Sequence, residues 1–170
     1  MSVAAARLLR AAALAMAAVL LAACASLTPL ADPPGTPREQ VLARLGAPTG
    51  RYALPGGGER LQYSQAPAGT NVYNFDFGAD GRLQRSEQAL DPAVLLRIQI
   101  DRWTADDVRR LLGQPGRISR VYSFDGDVWS YRFLEFNNPR LIHIHIDPAG
   151  VVRRIQYTDV DRRRGFFGFD

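Results

Sequence analysis

Two histidines are the residues of this chain whose spacing is best suited to chemistry. His143 and His145 stand at positions i and i+2 of one alternating segment, so both imidazoles would lie on the same face of a strand. Two imidazoles in this arrangement can share a metal ion, and Asp76 is the one obvious third ligand. The same spacing also suits two solvated or hydrogen-bonded histidines on a sheet. We adopt the second interpretation and predict no metal and no other cofactor.

Other patterns that could support catalysis are weaker. The sequence has no Gly-x-Ser-x-Gly motif around a nucleophilic serine. All 21 basic residues are arginine, which excludes Schiff-base lysines and the lysine of a P-loop. Asp106 and Asp107 suit the first turn of a helix, and Asp125 and Asp127 suit a hairpin tip. We therefore predict a protein that is not an enzyme and has no small-molecule substrate.

Residues 1–23 have the composition of an export signal. Arg7 and Arg10 give a positive start, and the apolar run that follows is too short to span a bilayer. The segment ends in Leu21-Ala22-Ala23-Cys24, which resembles the lipobox of bacterial lipoproteins, where the cysteine is lipidated and becomes the mature N-terminus. We expect Cys24 to carry the lipid, including a palmitate-type acyl chain. An ordinary export signal with an incidental cysteine is the alternative.

The residues after the cysteine indicate a location. Ala25 and Ser26 follow Cys24, where an aspartate would favour the inner membrane, so we expect anchoring in the periplasmic leaflet of the outer membrane. Residues 24–35 contain three prolines and no hydrophobic period, which predicts a lipidated N-terminus and tether. Without residues 1–23 the chain has 19 arginines against 17 acids. This near balance gives no reason to expect a nucleic-acid partner.

One helical motif occurs twice in the remaining chain. Residues 36–48 (TPREQVLARLGAP) match residues 104–115 (TADDVRRLLGQP), with an offset of 67 positions between their valines. Each copy begins with a threonine suited to the N-cap and ends with a glycine and a proline. Each also has one apolar stripe for core packing. A further short helix is predicted over 91–100, where an aspartate cap precedes a proline.

Alternating segments separated by turn signals follow each motif. In the second copy they occupy 118–124, 128–136, 141–146 and 151–157, with a hairpin turn at Asp125-Gly126 and further turns at 137–139 and 147–150. In the first copy they occupy 52–54, 60–64, 72–77 and the residues from 82 onward. The sequence therefore predicts an α+β fold of two tandem repeats, 36–90 and 91–158, each a helix followed by an antiparallel β-meander.

The alternation of polar and apolar residues along the strands also predicts which face of each sheet is buried. Apolar residues such as Trp129, Tyr131 and Ile144 define the face that helices cover. The opposite face is polar, and no helix is left in the sequence to cover it. We predict that a partner binds this uncovered face, through the residues Asn74, Asp76, Arg132, His143 and His145.

These motifs resemble the SmpA/OmlA (BamE-like) family of outer-membrane lipoproteins. The resemblance lies in Thr-x-x-x-Val-x-x-Leu-Leu-Gly-x-Pro from Thr104, in Trp129-x-Tyr131 and in the later turn at Gly150, and it covers 36–158. It implies helices packed on an antiparallel sheet, and the tandem form is similar to the β-lactamase-inhibitor-protein fold, which presents a concave sheet to a partner.

The resemblance implies a non-catalytic protein-interaction module. Its expected role is in cell-envelope or outer-membrane-protein assembly and integrity, with barrel-assembly components among the candidate partners. The alternative is an inhibitor-like module that binds a periplasmic or secreted enzyme through its exposed sheet.

The C-terminal segment, 159–170, has no place in the meander. It can be a loosely docked tail. Alternatively, its arginines meet anionic phosphates while its phenylalanines enter a lipid interface or a partner groove. The residues concerned are Arg162, Arg163, Arg164, Phe166, Phe167 and Phe169.

Overall fold

The computed structural model describes residues 30–160, which form two four-stranded antiparallel sheets and a few short helices. The predicted α+β class is therefore observed. Within these residues, no helix is long and apolar enough to cross a bilayer. The signal segment 1–23, Cys24 with its lipobox, and residues 161–170 of the Arg/Phe tail lie outside the described residues.

The first half of the fold is a helix and a meander. Helix α1 (Arg38–Leu45) precedes strands β1 to β4, which pair in sequence order. Phe75 and Phe77 alternate along β3 and are buried, together with Leu61, against Val41 of α1. A 3-10 turn, Pro55–Gly57, joins the first two strands. The strands are β1 (Gly50–Ala53), β2 (Glu59–Ser64), β3 (Val72–Phe77) and β4 (Leu83–Gln88).

The second half has the same order of elements with longer strands. Helices α2 (Pro92–Leu95) and α3 (Ala105–Leu112) precede strands β5 to β8, which again pair in sequence order. Apolar side chains of β6 and β7, including Trp129 and Ile144, are buried against Val108 and the rest of the stripe on α3. The strands are β5 (Arg117–Val121), β6 (Phe124–Glu135), β7 (Asn138–Ile146) and β8 (Val152–Asp159).

The two threonine caps predicted from the repeated motif have different outcomes. Thr104 forms the full capping box with Asp107, each side chain bonding to the backbone of the other residue. Thr36 does not cap α1, because Pro37 occupies the N-cap position and the Thr36 hydroxyl donates to the carbonyl of Pro33 instead. The cap prediction is therefore confirmed for α3 and wrong for α1.

The hairpin turn predicted at Asp125-Gly126 is also wrong. Val121 pairs with Phe124, so the chain turns at the two residues between them, and Asp125-Gly126 lies inside β6. Gly126 is required there for another reason: its φ is +143°, and a Cβ would stand 2.2 Å from the carbonyl oxygen of Ile146. Glycine at this position permits a close approach of two strands. The next turn is shifted as well, to Phe136-Asn137, both with positive φ.

Residues 30–35, predicted as part of the tether, contact the folded body. Leu30 packs against the first core, and Asp32 forms an ion pair with Arg44 of α1. The backbone N–H of Gly35 donates to the carbonyl of Leu83 at 2.7 Å. The folded part of the chain therefore begins before residue 36.

The two sheets are separate, and helix α3 lies between them. Its apolar stripe faces the second sheet, where the Tyr131 hydroxyl donates to the carbonyl of Gly113 at 3.0 Å. Its C-terminal end contacts the polar face of the first sheet, since Asn74 Nδ2 donates to the carbonyl of Leu111 at 2.8 Å. One helix therefore fixes the position of both sheets.

Candidate functional site

The structure divides the predicted partner-binding residues between two sheets. Asn74 and Asp76 lie on β3 of the first sheet, whereas Arg132, His143 and His145 lie on β6 and β7 of the second. Because the two sheets are not continuous, these residues do not form one surface.

The prediction that Asn74 lies on an uncovered face is wrong. Its side chain is 1% exposed, because the C-terminal end of α3 covers this face of the first sheet. Gln62, which pairs with Asn74, donates to the carbonyls of both Arg110 and Leu111 at 3.2 Å. These amides satisfy carbonyls that the end of a helix leaves without intrahelical partners. The polar pattern that suggested exposure therefore serves the docking of a helix.

Asp76 is likewise committed to contacts within the fold. Arg60 binds it through two nitrogens, Nε at 2.6 Å and Nη2 at 2.7 Å, and donates through Nη1 to the carbonyl of Arg110. Glu87 stands 3.9 Å from Arg60 and forms ion pairs with Arg85 and Arg97. This face therefore balances its guanidinium groups with its own carboxylates.

The corresponding face of the second sheet is an open groove. Its cavity volume is about 480 Å³, in the range of ligand pockets. No helix among residues 30–160 lines it. Cross-strand pairing places most of its side chains in three rows: Ser119, Val128, His145 and Arg154; Arg117, Ser130, His143 and Gln156; and Leu141 and Thr158.

Both histidines are held by hydrogen bonds across the strands. His143 Nδ1 lies 2.8 Å from Ser130 Oγ, and its Nε2 lies 2.8 Å from Thr158 Oγ1. His145 Nε2 donates to Gln156 Oε1 at 2.8 Å, while its ring meets Phe124 edge-on with centroids 5.0 Å apart. Among the described residues, His145 Nδ1 has no hydrogen-bond partner.

Burial favours the neutral form of both imidazoles. Desolvation lowers the pKa of His143, and the neighbouring His145 lowers it further. Desolvation also lowers the pKa of His145; the hydrogen bond to Gln156 acts in the opposite direction, and Arg154 adds a smaller lowering effect. Both rings are therefore uncharged near neutral pH.

The cationic side chains of the groove come from its outer strands. Arg117 lies on β5 and Arg154 on β8, and the Arg154 guanidinium stands 5.9 Å from the centroid of the Phe124 ring. Arg132 lies on the same face but is only 5% exposed, and His145 is 3% exposed, so the prediction that these two side chains are open to a partner is wrong. No aspartate or glutamate of residues 30–160 lines the groove. The described residues that line the groove therefore supply hydrogen-bond donors and no carboxylate.

The Ser130–His143 contact does not have the geometry of a hydrolytic pair. Ser130 is 4% exposed, so a substrate carbonyl would not reach its hydroxyl. The far nitrogen of His143 meets the hydroxyl of Thr158 rather than a carboxylate, which would be needed to stabilise an imidazolium. Within residues 30–160, no group of three or more His, Cys, Asp or Glu is arranged to hold a metal.

Several groove residues are absent from the sequence prediction. The signal that could have found them is the alternation along β8, where the residues at 154, 156 and 158 share one face with the histidines of β7. The groove residues on β5 could not be identified in this way, because their position depends on the register between β5 and β6. The residues missed are Arg117, Ser119, Ser130, Arg154, Gln156 and Thr158.

The sequence matches no protein family and no curated protein. Among solved structures, it is similar to a DUF4309 family protein, YjgB, from Bacillus subtilis subsp. subtilis str. 168. The two share 15% sequence identity with a TM-score of 0.31, over 74% of this chain and 79% of that chain. A similarity this distant assigns no function.

Proposed function

We propose that this protein is a lipoprotein, anchored through Cys24 in the periplasmic leaflet of the outer membrane, that acts as a non-catalytic protein-interaction module. Its body consists of two tandem repeats, and its role lies in cell-envelope or outer-membrane-protein assembly and integrity. The observation that carries the binding role is the open, donor-rich groove on the second sheet.

Matching hydrogen bonds at the helix starts support the tandem-repeat part of the proposal. The N–H of Arg38 donates to the carbonyl of Gly81, and that of Ala105 donates to the carbonyl of Gly150. Each helix therefore begins beside the turn that precedes the last strand of its sheet. Such a correspondence is expected if one unit was duplicated.

The helix ends correspond as well. Tyr63 donates its hydroxyl to the carbonyl of Gly46, and Tyr131 donates to the carbonyl of Gly113, both at 3.0 Å. Both glycines have positive φ and directly follow their helices. A tyrosine on the second strand of each sheet thus holds the end of the preceding helix.

The face of the first sheet supports the binding role of the groove. There, Asn74 and Gln62 bind the C-terminal end of α3, so this face of the fold already binds a helical element within the molecule. The same face of the second sheet has hydrogen-bond donors but no covering element within residues 30–160. A partner protein is the natural occupant of such a surface.

Photocrosslinking in intact cells tests the interaction surface. A photoreactive residue replaces Thr158, which is exposed and lines the groove, and the matched control replaces Ala79, which is exposed on a turn of the first sheet. We expect one reproducible protein adduct from position 158 only. Barrel-assembly components in that adduct would support the assembly role, whereas a soluble hydrolase would support the inhibitor-like alternative. Equal capture from both positions would contradict the proposal.

The anchor is tested separately by replacing Cys24 with serine. We expect the unmodified chain to incorporate labelled palmitate and to fractionate with outer membranes. The Cys24→Ser chain should incorporate no palmitate and should leave the membrane fraction. Membrane association that survives the substitution would show that lipid on Cys24 is not the anchor.

A further inference from the structure

Carboxylates neutralise the arginines on the helix-binding face of the first sheet. On that face Arg85 pairs in register with Asp76 on β3, and its guanidinium forms an ion pair with Glu87. Arg60 is held by Asp76 at 2.6 Å. Asp76 and Glu87 therefore lie together with the arginines that they neutralise, among them Arg97.

The second sheet replaces both of those acids. In its pairing of β7 with β8, His145 stands opposite Arg154, as Asp76 stands opposite Arg85 in the first sheet. Gln156 stands two residues after Arg154, as Glu87 stands two residues after Arg85. The second sheet thus has an arginine at the position of Arg85, but an imidazole and an amide at the positions of the two carboxylates.

Arg154 also differs from most arginines of the described residues. Elsewhere in residues 30–160, ten arginines form ion pairs with carboxylates, from Arg38 on α1 to Arg153 on β8. Arg154, adjacent to Arg153 but on the opposite face of the strand, lies over an aromatic ring instead. A guanidinium is suited to bidentate recognition of a carboxylate.

We propose that the groove binds a carboxylate carried by an acidic segment of the protein partner. This carboxylate would pair with Arg154 as Glu87 pairs with Arg85 in the first sheet. This inference rests on the proposed interaction function and specifies the chemistry of the partner. An acidic segment that crosses the strands would pass from β8, which carries Arg154, to β5 on the opposite side of the groove. Val128 and Leu141 supply apolar floor between them.

The histidines make the binding dependent on pH. The charged or titratable groups that face His145 across this sheet are Arg117 on β5, Arg132 on β6, His143 on β7 and Arg154 on β8. All of them are cationic or neutral, so a bound carboxylate would favour protonation of the imidazole. Affinity for the acidic segment should therefore increase as pH falls below the ordinary imidazole pKa of about 6.5.

Fluorescence anisotropy with short peptides tests the inference on the full chain in a nonionic detergent. The probe is a dye-labelled octapeptide of alternating glutamate and alanine, and its control has glutamine at every glutamate position. We expect saturable binding of the glutamate peptide and none of the glutamine peptide. Equal binding of the two peptides would overturn the inference.

Two substitutions and their matched controls locate the binding. Gln156→Glu restores the acid of the first sheet beside Arg154, and Arg154→Gln removes the cation; each should weaken binding about tenfold. Gln99→Glu and Arg120→Gln make the same changes of charge outside the groove and should leave the affinity unchanged. Loss of affinity in a control as large as in its groove variant would contradict the assignment.

Competition with inorganic phosphate separates a free anion from a peptide. Phosphate that binds while the glutamate peptide does not would identify a small-anion site and overturn the inference. A partner captured at position 158 that binds equally well to Gln156→Glu would overturn this inference alone, leaving the interaction function in place. Absence of any partner at position 158 would instead count against the interaction function itself.

Discussion

Asn74 donates through Nδ2 a 2.8 Å hydrogen bond to the carbonyl oxygen of Leu111, joining a strand of the first sheet to the helix that supports the second. The two residues are 37 positions apart, and both are buried. Gln62 donates to the same carbonyl, so this oxygen has two donors from one sheet. The polar face of the first sheet is thereby part of the interior of the molecule.

Replacing Asn74 with alanine should destabilise the protein by about 1–3 kcal/mol, because a buried carbonyl loses a donor and a small void forms. Urea unfolding followed by circular dichroism measures the effect. Asn138→Ala is the matched control, since that side chain is exposed and its loss should cost about 0.5 kcal/mol or less. Equal losses for the two variants would contradict the role of Asn74 at this interface.

The capping box of α3 gives a second prediction. Thr104→Ala removes the hydroxyl that accepts from the N–H of Asp107, and the free energy of unfolding should fall by about 1 kcal/mol. Thr104→Ser keeps the hydroxyl and should retain most of the stability. If serine lost as much as alanine, packing of the threonine methyl rather than the cap would be responsible.

Stability should depend on the two histidines below neutral pH. Their pKa values are lowered in the folded protein, so between the ordinary value of about 6.5 and the folded values the unfolded chain binds protons that the folded chain does not. The free energy of unfolding should therefore fall as pH decreases from 7 through this range. Arg154 acts in the same direction on His145.

Titration of the His143 and His145 ring protons by NMR checks this directly, and urea unfolding at pH 7 and pH 5.5 checks its consequence for stability. The His143→Gln, His145→Gln double variant should lose most of the difference between the two pH values. Ring titration at ordinary pKa values in the folded protein would contradict the expected burial.

Local patterns were sufficient to predict much of this fold. The strand predicted at 72–77 has the observed bounds, and Trp129 and Ile144 lie on the apolar face that alternation assigned to them. Helix α3 begins at the predicted cap because its capping box is formed within four residues. These features depend on interactions between residues that are close together in the sequence, so they can be predicted from local patterns.

The candidate site was harder to predict because it depends on contacts between distant elements. Asn74 and His143 both occupy polar positions on a middle strand, yet α3 covers the first and leaves the second open. Nothing in the alternation distinguishes a polar side chain that binds a helix end from one that faces solvent. Similarly, Asp125-Gly126 has a strong turn composition, but its glycine serves a close approach to Ile146.

That close approach supplies the last prediction. Gly126→Ala places a Cβ 2.2 Å from the carbonyl oxygen of Ile146 and 3.0 Å from the Asp147 Cα, both backbone atoms that can move only with the strand. We expect a loss of about 3 kcal/mol in the free energy of unfolding, together with disturbed pairing at this end of β6 and β7.

Gly150→Ala is the matched control, because its φ of +81° is also strained for alanine but no atom lies within 4 Å of the added Cβ. Strain alone should cost about 1–2 kcal/mol there. Urea unfolding gives both values, and amide hydrogen exchange at Ile146 and Val128 reports whether the strand pairing opens. A cost at Gly126 no greater than that at Gly150 would show that backbone conformation, and not the contact with Ile146, is what requires glycine in this strand.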